Sequence, residues 1–123
     1  MIRELLAVGG GGALGSIARY LIAYGMLAEH TIFGFPTGTF AVNAAGSLVI
    51  GILLEMLHSQ TTVWLLVVGF CGGFTTFSSF SADAVRLLKA ECWGSAALYI
   101  ALSAGVCIGF AALGMWIGTQ FKN

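Results

Sequence analysis

Apolar residues in this chain come in long unbroken runs, not in the alternation of a half-buried strand. Leu5 to Ala28 carries one charge, Arg19, while Pro36 to Leu54, Thr61 to Ala82 and Ser95 to Thr119 carry none. Each run reaches the roughly 17–25 residues that a helix needs to cross hydrocarbon. The pattern predicts four membrane spans, over residues 5–28, 36–57, 61–88 and 94–119, in one all-α domain with short connections. A β-barrel is a poor alternative, because its strands are only about 9–11 residues long and alternate strictly.

Composition agrees with that reading. Of 123 residues, 59% are hydrophobic and 8% charged, against about 25% charged in ordinary soluble domains. The formal net charge is zero, so no basic face is available for nucleic acid. The start, "MIRELLAVGGGGALGS", has the small residues of a cleaved leader. The apolar run nevertheless continues through Arg19 and Tyr20, so it reads as the first span. Cys71, Cys92 and Cys107 form no CxxC pair; they suggest small packing residues, not a disulfide framework or a metal site.

Gly10, Gly12 and Gly15 match a dinucleotide-binding GxGxxG. That motif needs a strand before it and an acidic residue about 20 positions on. Here only a few residues precede it, and Glu29 comes too early. The spacing of Gly11 and Gly15 instead predicts a small-xxx-small helix contact, repeated at Gly105/Gly109 and Gly114/Gly118.

The polar groups inside the spans carry the chemistry. Arg19 is either a functional charge or an arginine that snorkels to the interface. Glu55 and Asp83 lie at span ends, and mid-span positions hold no carboxylate. A small proton-coupled exporter would depend on one. Asn43, Thr75, Thr76, Ser78, Ser79, Ser81 and Ser103 are neutral hydrogen-bond donors, suited to an anion that must shed water and still leave. Each hydroxyl taken alone is equally explained by bonding to a helix carbonyl. An amide at mid-span is harder to explain without a partner.

In "GFCGGFTTFSSF", residues 69–80, the pair Gly72-Gly73 predicts a broken third helix. Non-helical backbone at membrane depth is tolerated only where protein or a cavity surrounds it. Its freed carbonyls can hold a sodium ion, or the break is a packing kink. Phe77 and Phe80 share a helix face; they are either filler or ring edges, which are electropositive, turned toward an anion.

Gly15 with Arg19-Tyr20, "GTFAVNAAGSLVIG" from Gly38 to Gly51, and "GFCGGFTTFSSF" together resemble the Fluc/CrcB family of fluoride channels across the first three spans. The resemblance implies an antiparallel, dual-topology homodimer with two fluoride pathways. It also implies a central Na+ held by the backbone carbonyls of Gly72 and Thr75 from both copies. It assigns Asn43, Phe77, Phe80, Ser79, Tyr99 and Ser103 to the pathway and Arg19 to its aqueous entrance. Two departures stand out: Ser79 replaces the family's usual threonine, and Gly105 and Cys107 occupy positions where further hydroxyls are expected.

Charge placement gives independent support for dual topology. One side of a four-span arrangement carries Arg3 and Lys122, the other Arg86 and Lys89 with Arg19 near it. Orientation follows an excess of Lys and Arg on the cytoplasmic side, and here the excess is nearly nil. The expected function is passive export of fluoride through a multi-pass protein of the bacterial inner membrane, with no enzyme chemistry. The alternative is a small multidrug-type proton-coupled exporter.

Overall fold

A computed structural model describes residues 1–27, 31, 32 and 34–121. Ala28 at the end of the first expected span, Glu29 of the GxGxxG argument and Lys122 of the charge comparison lie outside the described residues. Four helices are long and apolar enough to cross a membrane: Ile2–Met26, Thr37–Met56, Gln60–Lys89 and Trp93–Phe121, here called spans one to four. The chain is an all-α membrane protein. A hairpin joins spans one and two, with β1 (Thr31–Ile32) antiparallel to β2 (Phe35–Pro36). Gly34 turns it at φ +86°, a left-handed conformation that favours glycine.

Lipid offers no hydrogen bonds, so a backbone in hydrocarbon must satisfy itself, and helices form even where glycine would weaken them in water. That is how "GGGGALG" stays helical inside Ile2–Tyr20. Among the described residues no strand stands before it, so the GxGxxG match lacks its structural context here.

Spans pack as two close pairs. Gly11 and Gly15 are buried against span three, where an added Cβ on Gly11 would lie 2.9 Å from the Phe70 nitrogen. Gly114 meets span two, its Cβ position 3.1 Å from the Cα of Gly51. Small residues let backbones approach this closely, and dispersion between them replaces the hydrophobic drive that lipid removes. The third expected contact is absent among the described residues: no heavy atom of theirs lies within 4 Å of a Cβ position on Gly105 or Gly109. Span four is rotated so that Gly114 and Gly118, not Gly105 and Gly109, meet span two.

Outward faces are apolar, with Leu5, Leu14, Val68, Ile108 and Trp116 all exposed. Inside, Phe35 and Tyr99 are fully buried and pack with Phe40, Phe80 and Leu102. This aromatic cluster ties the hairpin and spans two and four to the second half of span three.

Gly72 and Gly73 do not break span three. Gly72 is helical at φ −61°, ψ −39°. The backbone leaves the helix two residues after the glycine pair, at Thr75 (φ −87°, ψ 160°) and Thr76 (φ −151°, ψ 116°), and resumes over Phe77–Lys89. Glycine only lowers the resistance to leaving a helix; capping partners decide where it happens. Thr76 supplies one, its Oγ1 accepting from the Ser79 amide at 3.1 Å as the N-cap of the second segment. Gly73 serves packing instead, because a Cβ there would lie 3.1 Å from the Cα of Gly12.

Candidate ion pathway

Two extended residues inside a span leave backbone groups that need partners. The Thr75 amide still reaches the Cys71 carbonyl at 3.0 Å, joined there by its own hydroxyl at 2.9 Å. The Thr76 amide, which a continuous helix would give to the Gly72 carbonyl, donates instead to Oδ1 of Asn43 at 2.7 Å. Nδ2 of Asn43 donates back to the Thr76 carbonyl at 2.9 Å. Arg19 donates from Nε to the Gly73 carbonyl at 2.9 Å. Among the described residues, no donor bonds the Thr75 carbonyl.

These bonds give two of the predicted residues a structural role. Arg19 is half-buried, with its Nε bound to the backbone of span three. Asn43 is first a surrogate for backbone. An amide nitrogen has two N–H groups, and one is committed to Thr76, which leaves the other.

Asn43, Thr75, Thr76, Phe77, Phe80 and Ser103 line an open groove of about 570 Å³, with small and apolar residues of spans two and four completing it. No charged residue is in its lining. Ser103 is 6% exposed, and its hydroxyl has no hydrogen-bond partner among the described residues. A buried polar group left unsatisfied costs about 1–3 kcal/mol, so its retention calls for an explanation. Phe77 is 79% exposed at the rim and meets Phe80 at a centroid distance of 5.5 Å. Phe80 is half-buried and lies 5.1 Å from Tyr99 in a tilted arrangement.

Gly72, Ser79, Tyr99 and Arg19 are not in that lining. Gly72 is exposed on the helix just before the interruption. Ser79 contributes its amide to the Thr76 cap. Tyr99 is fully buried behind Phe80, its hydroxyl donating to Oδ2 of Asp83 at 3.1 Å. Oδ1 of the same carboxylate pairs with Arg86 at 3.0 Å.

In the sequence Asp83 shows only as a span-end charge. Its position three residues after Phe80, on the same helix face, was the available signal that it would meet whatever packs on Phe80. Cys107, which the resemblance puts where a further hydroxyl is expected, lines the groove one turn after Ser103. Among the described residues no group of three His, Cys, Asp or Glu side chains is placed to hold a metal.

The family described as CrcB-like protein, Camphor Resistance (CrcB), matches residues 6–115. The chain is 43% identical over 118 residues to a protein of Ruegeria sp. (strain TM1040) named fluoride-specific ion channel FluC, covering 94% of each. It is 39% identical over 129 residues to a Bacteroides fragilis (strain YCH46) protein of the same name, covering 98% of this chain and 100% of that one. A Coxiella burnetii (strain Dugway 5J108-111) protein, again of that name, is 44% identical over 118 residues, covering 89% and 93%. With a match spanning nearly the whole of all four spans, the chain belongs to the CrcB-like family.

Proposed function

We propose that this protein is a passive, fluoride-selective channel of the bacterial inner membrane. One observation carries the reading. A single uncharged groove gathers an amide, hydroxyls and two phenylalanines at an interruption of span three, and one of those hydroxyls, on Ser103, is buried without a partner. Bare charge in a low-dielectric medium costs tens of kcal/mol by Born arguments. The second N–H of Asn43, the Ser103 hydroxyl and the positive edges of Phe77 and Phe80 supply replacements for water. None is a fixed counter-charge, so the ion is held weakly enough to leave. Three relatives named as fluoride-specific channels support the substrate. The proton-coupled exporter is not supported: none of those relatives carries such a name, and Asp83 is occupied by Tyr99 and Arg86.

The groove is open on one side and Phe77 projects from its rim. A second copy, inserted in the opposite sense, closes it in this reading and gives two pathways. The exposed Gly72 and the unpaired Thr75 carbonyl suit a sodium ion shared between copies. Backbone oxygens are hard ligands appropriate to such an ion, and it would neutralise carbonyl charge at the interface. Arg19 and Asn43 hold the neighbouring Gly73 and Thr76 carbonyls, which keeps those two oxygens out of the ion's shell.

The test is anion efflux from liposomes containing purified protein, read with a fluoride electrode and, in parallel, a chloride electrode. Fluoride release with negligible chloride release is expected. Equal release of both, or release that requires a proton gradient, overturns the proposal.

A further inference from the structure

Cys107 stands one helical turn after Ser103 on span four, so the two side chains share a face, and both line the groove. The Ser103 hydroxyl there is nine-tenths buried and unpartnered, so this part of the groove is already built to meet something polar. Cys107 is a free, partly exposed thiol. Ile50 and Ile108 lie in the same lining, and nothing charged does. A hard cation has no hold in such a place. A soft, polarisable ligand does, because thiolate sulfur selects soft metals.

We propose that Cys107 is a thiol site inside the conduction groove, at which a soft mercurial binds and blocks transport. The proposal deepens the reading of the groove as the ion pathway and rests on it. Cys107 is partly exposed and lines the groove, so a small neutral mercurial that enters the pathway reaches its sulfur. With methylmercury chloride the S–H bond breaks and an S–Hg bond forms. The proton goes to water and chloride leaves, with no change of oxidation state. The adduct places an uncharged methylmercury group one turn from Ser103, filling space an ion would cross and offering it no hydrogen-bond donor. The other thiols do not compete for this role. Cys71 is 2% exposed, and Cys92 lies in the connection before span four, outside the groove.

The experiment uses Cys92→Ala protein in liposomes, with and without a further Cys107→Ser change. Serine keeps a donor at the position and removes the soft ligand. Methylmercury chloride is expected to abolish fluoride efflux from the first protein and leave the second unaffected. Excess dithiothreitol should restore the first. Block that persists after Cys107→Ser overturns the proposal, as does unchanged efflux from protein whose Cys107 is fully mercurated by mass spectrometry. If the untreated protein releases no fluoride, the channel reading fails on its own. The labelling arm still reads the site: mercuration of Cys107 ahead of Cys71 supports it, and an unreactive Cys107 overturns it.

Discussion

Asn43 and Thr76 are joined by two hydrogen bonds, the Thr76 amide to Oδ1 at 2.7 Å and Nδ2 to the Thr76 carbonyl at 2.9 Å. A side chain of span two thus pairs with span three as a neighbouring strand would. The interruption exists where it does because a partner for both of its backbone groups comes from another helix. Removing the amide should therefore cost stability as well as transport. Asn43→Ala leaves a part-buried donor and acceptor unpaired, with about 1–3 kcal/mol each as the upper bound set by full burial. Thermal unfolding in detergent should show a clear loss for Asn43→Ala, and an unchanged midpoint would mean that the pairing does not hold the interruption open.

The two phenylalanines make different demands. Phe80 packs on Tyr99, whereas Phe77 is 79% exposed and touches little beyond Phe80. Replacing either by isoleucine keeps apolar bulk and removes the electropositive ring edge. Phe77→Ile is expected to leave thermal stability unchanged and to reduce fluoride efflux by an order of magnitude or more, about 1.4 kcal/mol per tenfold. Wild-type efflux from the folded variant would make the ring filler.

Much of this was legible in the chain. Four long apolar runs, too long for barrel strands, read as helices in lipid, and Gly11/Gly15 and Gly114/Gly118 act as the close contacts their spacing suggests. Gly72-Gly73 misled because glycine marks both flexibility and close approach, and only the packing against Gly12 shows which applies. The bonds of Arg19 to Gly73 and of Asp83 to Tyr99 join residues far apart in sequence. No local pattern encodes such pairs.

Gly72 offers a test of what lies beyond one copy. Among the described residues, a Cβ there would meet only the Val67 carbonyl, at 3.9 Å, so alanine fits easily. If the carbonyls of Gly72 and Thr75 face a shared sodium ion, Gly72→Ala should weaken dimerisation and make the assembly more dependent on sodium, read by size-exclusion chromatography with sodium replaced by a large organic cation. Identical elution of wild type and variant in both salts would remove the ion from the account.

Dual insertion is the expectation from the near balance of Arg3 and Lys122 on one side against Arg86 and Lys89, with Arg19 near them, on the other. Cysteine introduced next to Phe121, in a Cys92→Ala background, should react with an impermeant maleimide from both faces of the membrane in comparable amounts. Labelling from one face alone would rule out an antiparallel pair.

The central claim is that the groove is the fluoride path, and Ser103→Ala tests it most directly. Its hydroxyl is buried and has no partner among the described residues, so its removal breaks no bond with any of them. Relieving an unsatisfied buried group is neutral or stabilising, and the thermal midpoint should hold or rise. Fluoride efflux from liposomes should fall by roughly tenfold, since an ion crossing low-dielectric space loses a donor at that point. A stable Ser103→Ala protein that releases fluoride at the wild-type rate would contradict the account, because the path would then run elsewhere.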